Sequence, residues 1–435
     1  MSDPTSYRPY TNRNIFIFSG TRLISELGSA LFKFALSLYI LDLTGSAVIF
    51  SIILGLSILP GVFVNIFAGV YVDRSNKKKV LVFSELLSGI IMFSLLLLFY
   101  FEPAPIWLLG VYSVILNVIQ SFTLLALNAS IPNLVDQDRV HSLNSSYQSI
   151  GAVINVVGPM VGALAYQVWG FENILIFSTV FFILAGSLQW LLRFHTTSDH
   201  PVAASYFESL KEVFRYIEQQ AAIKYVLFLF VVINFILAPL MQVVLPYVTY
   251  RELHISAQQL SIIQASWFVG IIIGAILVSQ KRVHHFMINK IFILFQIQAI
   301  LFACWCFPKL VPQVSGSPWA ITGFFFVLLM ITGLMNSMGN IPMISYIQVY
   351  TPDHLRASVF GVTSSITMLA TPLGIWVYGF VLNRIDWAYL PLVSGGIVFV
   401  VGLLAHQNRQ LREFFKKNDA PLTVKTEQSE RISAS

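Results

Sequence analysis

Apolar runs of about 20 residues recur from one end of the chain to the other, separated by short polar breaks. The stretch 80–101, "VLVFSELLSGIIMFSLLLLFYF", is representative. A run of that length crosses a hydrocarbon core of roughly 30 Å as a helix. In lipid, a helix also satisfies its own backbone hydrogen bonds. Twelve such spans are predicted, near 15–41, 46–71, 80–101, 104–127, 144–168, 172–193, 223–248, 257–279, 287–308, 318–338, 357–382 and 387–406. The expected fold class is an all-α membrane protein whose twelve transmembrane helices form two six-helix bundles. The expected divisions are a first bundle at 1–194, a linker at 195–222, a second bundle at 223–406 and a polar tail at 407–435. The polar first 14 residues lack a cleavable apolar core, so no signal peptide is expected.

Composition agrees with this pattern. Of the 435 residues, 56% are hydrophobic and only 11% charged, far more apolar than a soluble chain needs. The net charge of +6 would suggest nucleic acid in a soluble protein, but here the placement of charge matters more. Of the 26 Lys and Arg, 21 fall in the two terminal segments and alternate loops, while the opposite loops hold only Arg251, Lys309 and Arg384. By the positive-inside rule both termini are cytoplasmic. Trp107, Trp169, Trp305, Trp319 and Trp387 fall at predicted outer boundaries, as an interfacial aromatic belt requires. Cys304 and Cys306 are two residues apart and point to different sides of a helix, which predicts packing rather than a disulfide or metal site. No metal or cofactor is expected. No nucleotide-binding loop and no HExxH pattern is present.

The longest polar stretch lies mid-chain. Within it, "YFESLKEVFRYIEQQ" puts Tyr206, Leu210, Val213, Phe214 and Ile217 on one helical face, predicting an amphipathic helix on the cytoplasmic surface. The halves on either side echo each other. "DQDRVHSLN" (136–144) and "DHLRASVFG" (353–361) both carry Asp-x-x-Arg just before a span containing Pro and Gly. Two repeats with substrate bound between them are a transporter architecture.

The loop between spans 2 and 3 reads "GVYVDRSNKKKVL". It resembles the motif of the major facilitator superfamily at this place, with Gly69, Asp73, Arg74, Lys77, Lys78 and Leu81 in register. Asn76 stands where the family has Gly, a mild departure because Asn tolerates left-handed backbone. The resemblance implies a conformational latch, in which Asp73 faces the start of span 11 and favours the state closed to the cytoplasm. A loop that is only a topology signal is the competing reading. In span 5, "NVVGPMVGAL" resembles the family's antiporter motif through Gly158, Pro159 and Gly162. Ala163 replaces the motif's last Gly, and Ile154 stands at its first. The resemblance favours export; a packing kink without directional meaning is the alternative. The first half looks closest to the macrolide-efflux and enterobactin-exporter branch.

Span 1 carries Arg22, Glu26 and Lys33 on one helical stripe. Glu26 lies about 17 Å into the span, near the bilayer midplane. An ionisable group at that depth is costly, and its presence points to function. Glu26 and Arg22 are the candidates for proton coupling; a static structural pair is the competing reading. Lys33, Asn117, Gln120, Asn155, Asn234 and Gln242 are the candidates for a substrate cavity; Lys33 is weighed against snorkelling toward the outer interface, and the amides against a simple helix–helix hydrogen bond. Glu85 is expected to contact the basic loop. Span 4 lacks the Arg that drug–proton antiporters of this family often carry there.

These features predict a secondary transporter of a bacterial plasma membrane, acting as a monomer in the lipid bilayer. It is expected to export a hydrophobic or amphiphilic organic compound in exchange for protons. A siderophore or lipid carrier is the alternative, and a membrane-embedded enzyme or receptor the remote one. No nucleic-acid partner is expected.

Overall fold

The computed structural model describes residues 10–101, 105–194, 214–311, 317–351 and 353–407, without side chains for short stretches that include 65–70, 73–74, 281–291 and 353–358. The described residues are helical or lie in short connections, and no strand occurs among them. The helices are α1 (Thr11–Thr44), α2 (Ala47–Arg74), α3 (Lys77–Phe101) and α4 (Ile106–Leu134). The 50-residue run Val140–Gln189 follows. As one straight helix it would reach roughly 75 Å, more than twice a hydrocarbon core. Gly170, at φ 75 and ψ 175, breaks it into α5 (140–169) and α6 (171–189). Then come α7 (Ala221–Pro239), α8 (Ala257–Ser279), α9 (Lys281–Ala303), α10 (Pro318–Tyr350), α11 (Asp353–Leu382) and α12 (Tyr389–Gln407). Counting Val140–Gln189 as one, eleven described helices are long and apolar enough to cross a membrane. The break at Gly170 makes them twelve.

Several helices outrun their predicted spans at the end bearing the basic turns. The α4 helix continues past 127 to Leu134, and α10 past 338 to Tyr350. Hydropathy falls when polar residues begin, but the helices continue, with Ile131 and Leu134 of α4 and Met343 and Ile347 of α10 buried in apolar clusters. The chain divides into two compact units, Met1–Pro201 with Thr249–Ala265, and Val202–Val248 with Ser266–Ser435.

In the first unit α1 packs on α5, α3 on α4 and α6, and α2 on α4. Asn14, fully buried, ties the basic end together. Its Nδ2 donates to the carbonyls of Leu134 and Arg193, both at 2.8 Å, and its Oδ1 accepts from the Arg193 N–H at 3.1 Å. One amide thus occupies backbone groups at the last residue of α4 and just beyond α6, where intrahelical partners run out. In the second unit α7 packs on α11, and α9 on α10 and α12. The α8–α10 seam is tight enough that a Cβ on Gly270 would sit 2.0 Å from the Met330 carbonyl oxygen.

One expectation changes. Trp305 belongs to no interfacial belt: it is 1% exposed and packs edge-on to Phe325 at 5.7 Å. It is the middle residue of the short 3-10 turn Cys304–Cys306, which interrupts the helix and leaves the indole turned inward. Much of the expected amphipathic linker lies outside the described residues. Its described end, 214–219, is helical, with Ile217 buried against Ile223 and Val226 and Phe214 exposed.

Candidate functional site on α1 and α5

The helices α1 and α5 carry half of the first unit's candidates. Gly158 and Gly162 face α1 directly: a Cβ on Gly158 would lie 2.7 Å from the Ala30 Cβ, and one on Gly162 3.1 Å from the Phe34 Cβ. Pro159 stands between them inside the helix. The motif therefore thins α5 where α1 leans on it.

Two to three turns toward the basic end, α5 shapes a slot for Arg22. The guanidinium carbon lies 3.3 Å from the centroid of the Tyr147 ring, a cation–π contact. Gly151, one turn after Tyr147, leaves room for Nη2, which a Cβ there would approach to 3.2 Å. Nη2 also meets Glu26 Oε1 at 3.0 Å. The Arg22 side chain is only 5% exposed but Glu26 is 33% exposed, so the anion can be reached while its cation is enclosed. Arg22 Nε and Nη1 have no hydrogen-bond partner. Glu26 is thus the described counter-charge of a buried cation, and neutralising it strands that cation.

Ser25, on the neighbouring face of the same turn, donates from Oγ to Glu85 Oε1 at 2.7 Å. Glu85 is fully buried and its Oε2 has no partner; Gln189, also fully buried, adjoins it with its own amide atoms unpartnered. The expectation that Glu85 contacts the basic loop is corrected: it faces α1, because its helical position turns it into the bundle. Lys33 lies two turns beyond Glu26 and is exposed. Asn155 is exposed too, between Gly151 and Gly158, in register with the Glu26 turn of α1.

Other candidates sit elsewhere. Gln120 donates from Nε2 to Ser88 Oγ at 3.2 Å, bridging α4 and α3. Asn117 lies against Gly61 of α2, where a Cβ would come within 2.3 Å of its Oδ1. Asn234 donates to the Phe230 carbonyl of its own helix, at 2.9 Å. Gln242 is exposed in a π-helical turn, Leu240–Val244, that follows Pro239.

The α2–α3 motif is only partly described. The α2 backbone runs through Gly69 and Asp73 to end at Arg74, but the side chains at 69, 73 and 74 lie outside the described residues, as do those of Asp353 and Arg356. Lys77 Nζ donates to Asn133 Oδ1 at 3.4 Å, and Lys78 Nζ stands 5.9 Å from the Trp190 ring. Asn76 is not left-handed; among described non-glycine residues only His254 has positive φ. Instead its Oδ1 accepts the Lys79 N–H at 3.1 Å and caps α3, which a glycine cannot do.

The fold and these motifs can now be set beside known proteins. The profile of the Major Facilitator Superfamily matches residues 18–325 and 226–427, nearly the whole chain between them. The chain belongs to that superfamily. Its members are transporters, and the chain is a transporter rather than an enzyme. Among superfamily proteins it is similar to macrolide efflux protein A of Streptococcus pyogenes, 23% identical over 403 residues, covering 90% of this chain and 94% of the relative. Macrolide efflux protein A of Enterococcus faecalis is 24% identical over 344 residues, covering 76% and 100%. The nucleoside transporter NupG shares the superfamily fold with TM-score 0.71 at 14% identity, over 90% of this chain and 98% of NupG. A bacterial homologue of the iron transporter ferroportin does so with TM-score 0.66 at 15% identity, over 91% and 99%.

Sequence reasoning missed Tyr147, Gly151, Ser25 and Gln189. They stand far along the chain from the groups they meet, or look like ordinary helix positions. The one available signal was Glu85, a carboxylate inside an apolar run.

Proposed function

We propose that the chain exports an amphiphilic organic compound from the cytoplasm by alternating access, in exchange for protons, with Glu26 as the group that couples the two. The observation carrying this reading is the Arg22–Glu26 pair: an enclosed cation whose described counter-charge remains accessible, on the helix that packs against the Gly158-Pro159-x-x-Gly162 motif. Loading a proton on Glu26 removes the compensation of Arg22, so proton occupancy and the packing of α1 on α5 are linked. Lys33 and Asn155 would meet the compound on the same stripe. Gly69, Asp73, Arg74, Lys77 and Lys78 would act as the latch at the cytoplasmic end. Both termini are cytoplasmic on the strength of the loop charges, and two six-helix bundles work as one monomer. The relatives' names support a macrolide as cargo; a siderophore or lipid is the other reading of the cargo. Glu85 is a second candidate proton site, favoured by its full burial and unpartnered oxygen.

The test is export in proteoliposomes. Radiolabelled erythromycin should move against an imposed proton gradient, and a protonophore should abolish the movement. Proton-independent movement would contradict the coupling. In a background with Cys304 and Cys306 replaced by Ser, single cysteines at Ser205 and Ser317 should label from opposite sides of intact cells. Labelling of both from outside would overturn the orientation.

A further inference from the structure

At the end of the first unit opposite the basic turns, a cavity of about 700 Å³ is bounded by α1, α3, the α5–α6 turn and the segment 249–265. Small-molecule sites commonly span about 300–1,000 Å³. One part of its lining is a packed aromatic cluster. The rings of Tyr39 and Phe171 stack with centroids 4.4 Å apart and planes 11° from parallel, and Phe99 packs on both at 5.8 and 5.4 Å. Tyr166 and Tyr250 add two more rings, held by one carboxylate: both hydroxyls donate to Asp42 Oδ2, at 2.6 and 3.1 Å. Trp169 lines the cavity half-exposed.

The charged residue in the lining is a carboxylate. Glu172 lines the cavity, is exposed and has no ion-pair partner among the described residues. Asp42 backs the tyrosines. Arg251 lies beside Gly45, close enough for its charge to act on Tyr250, but among the described residues no lysine or arginine lines the cavity. Aromatic faces with a nearby carboxylate attract a cation that carries apolar bulk. An anion of the same shape meets two negative charges. A neutral molecule gains the apolar contact but nothing from Glu172.

We propose that this cavity is a binding site for bulky lipophilic organic cations, separate from the Arg22–Glu26 stretch of α1. Tyr39 lies 13 residues beyond Glu26 on the same helix, roughly 20 Å along its axis. The site stands whether or not Glu26 couples protons.

Equilibrium binding of tritiated tetraphenylphosphonium to the purified full-length protein in detergent tests it. Tetraphenylborate, nearly the same shape with opposite charge, serves as competitor. The phosphonium should bind and the borate should fail to displace it. Glu172→Gln and Trp169→Leu should each weaken binding by about 5–10-fold. Glu218→Gln, which removes an exposed carboxylate that is not among the lining residues, should leave binding within about twofold. Both glutamate variants change exposed side chains, and a single symmetric gel-filtration peak confirms that they fold. Undiminished binding in Glu172→Gln, or displacement by tetraphenylborate as effective as by unlabelled phosphonium, would overturn the proposal.

Discussion

Helices α1 and α7 open the two halves of the chain, and each packs on the Pro- and Gly-containing helix of its own half, α5 or α11. At the α1–α5 seam the glycines meet side chains, the Cβ atoms of Ala30 and Phe34. At the α7–α11 seam Gly374 meets backbone: a Cβ there would lie 2.3 Å from the Phe235 carbonyl oxygen. Pro239, four residues after Phe235, removes the N–H that this carbonyl would otherwise accept. The same helix then loosens into π-helical turns at Leu240–Val244 and Tyr247–Glu252. The charges differ too. The α1 helix holds Arg22, Glu26 and Lys33 well inside its span, whereas the predicted span 223–248 holds only Lys224, at its start. One packing scheme thus carries two specialisations, titratable charge in α1 and a deformable backbone in α7. Such π-turns recur at functional sites, so both seams are places where a transporter can move.

The comparison can be broken most severely at the charge. Glu26→Gln leaves the buried Arg22 uncompensated and should cost about 3–5 kcal/mol. Thermal unfolding in detergent should show it as the largest loss among single changes on α1. Lys33, which makes no close ion pair among the described residues although it feels the charge of Glu26, should tolerate Lys33→Gln with a much smaller loss in the same assay. Next come the seams. Gly374→Ala drives a methyl into a backbone oxygen that cannot swing away, and should cost about 3 kcal/mol. Gly158→Ala meets a side-chain methyl at 2.7 Å and should cost about 1–2 kcal/mol. Gly162→Ala meets Phe34 at 3.1 Å and should cost less than about 1 kcal/mol. Equal losses at 374 and 162 would show that the two seams yield alike, contrary to the backbone-versus-side-chain distinction.

The helices were legible because hydropathy and length act locally. Even the Gly170 break falls in "VWGFEN", between two predicted spans. The Arg22–Glu26 contact was legible for the same reason, since four residues on one helix share a face. Its surroundings were not. Tyr147 and Ser25–Glu85 come from contacts 125 and 60 residues apart, and the sequence alone does not state which helix faces pair. Trp305 was misplaced because an aromatic near a span end reads the same whether it meets lipid or core. At Asn76, conformational tolerance and capping both explain an Asn, and only the backbone angles separate them. The two-bundle division, the latch and the proton role of Glu26 remain proposals argued from these placements.

Transport by the double variant Arg22→Gln with Glu26→Gln tests the central claim most directly. Removing both charges leaves no stranded cation, so the protein should recover much of the stability lost in Glu26→Gln. If Glu26 carries the coupling proton, this stable variant should still fail to drive erythromycin against a proton gradient in proteoliposomes, and the response of its transport to pH should disappear. Proton-driven transport at the wild-type rate in that variant would contradict the account and reduce the Arg22–Glu26 pair to a structural tie.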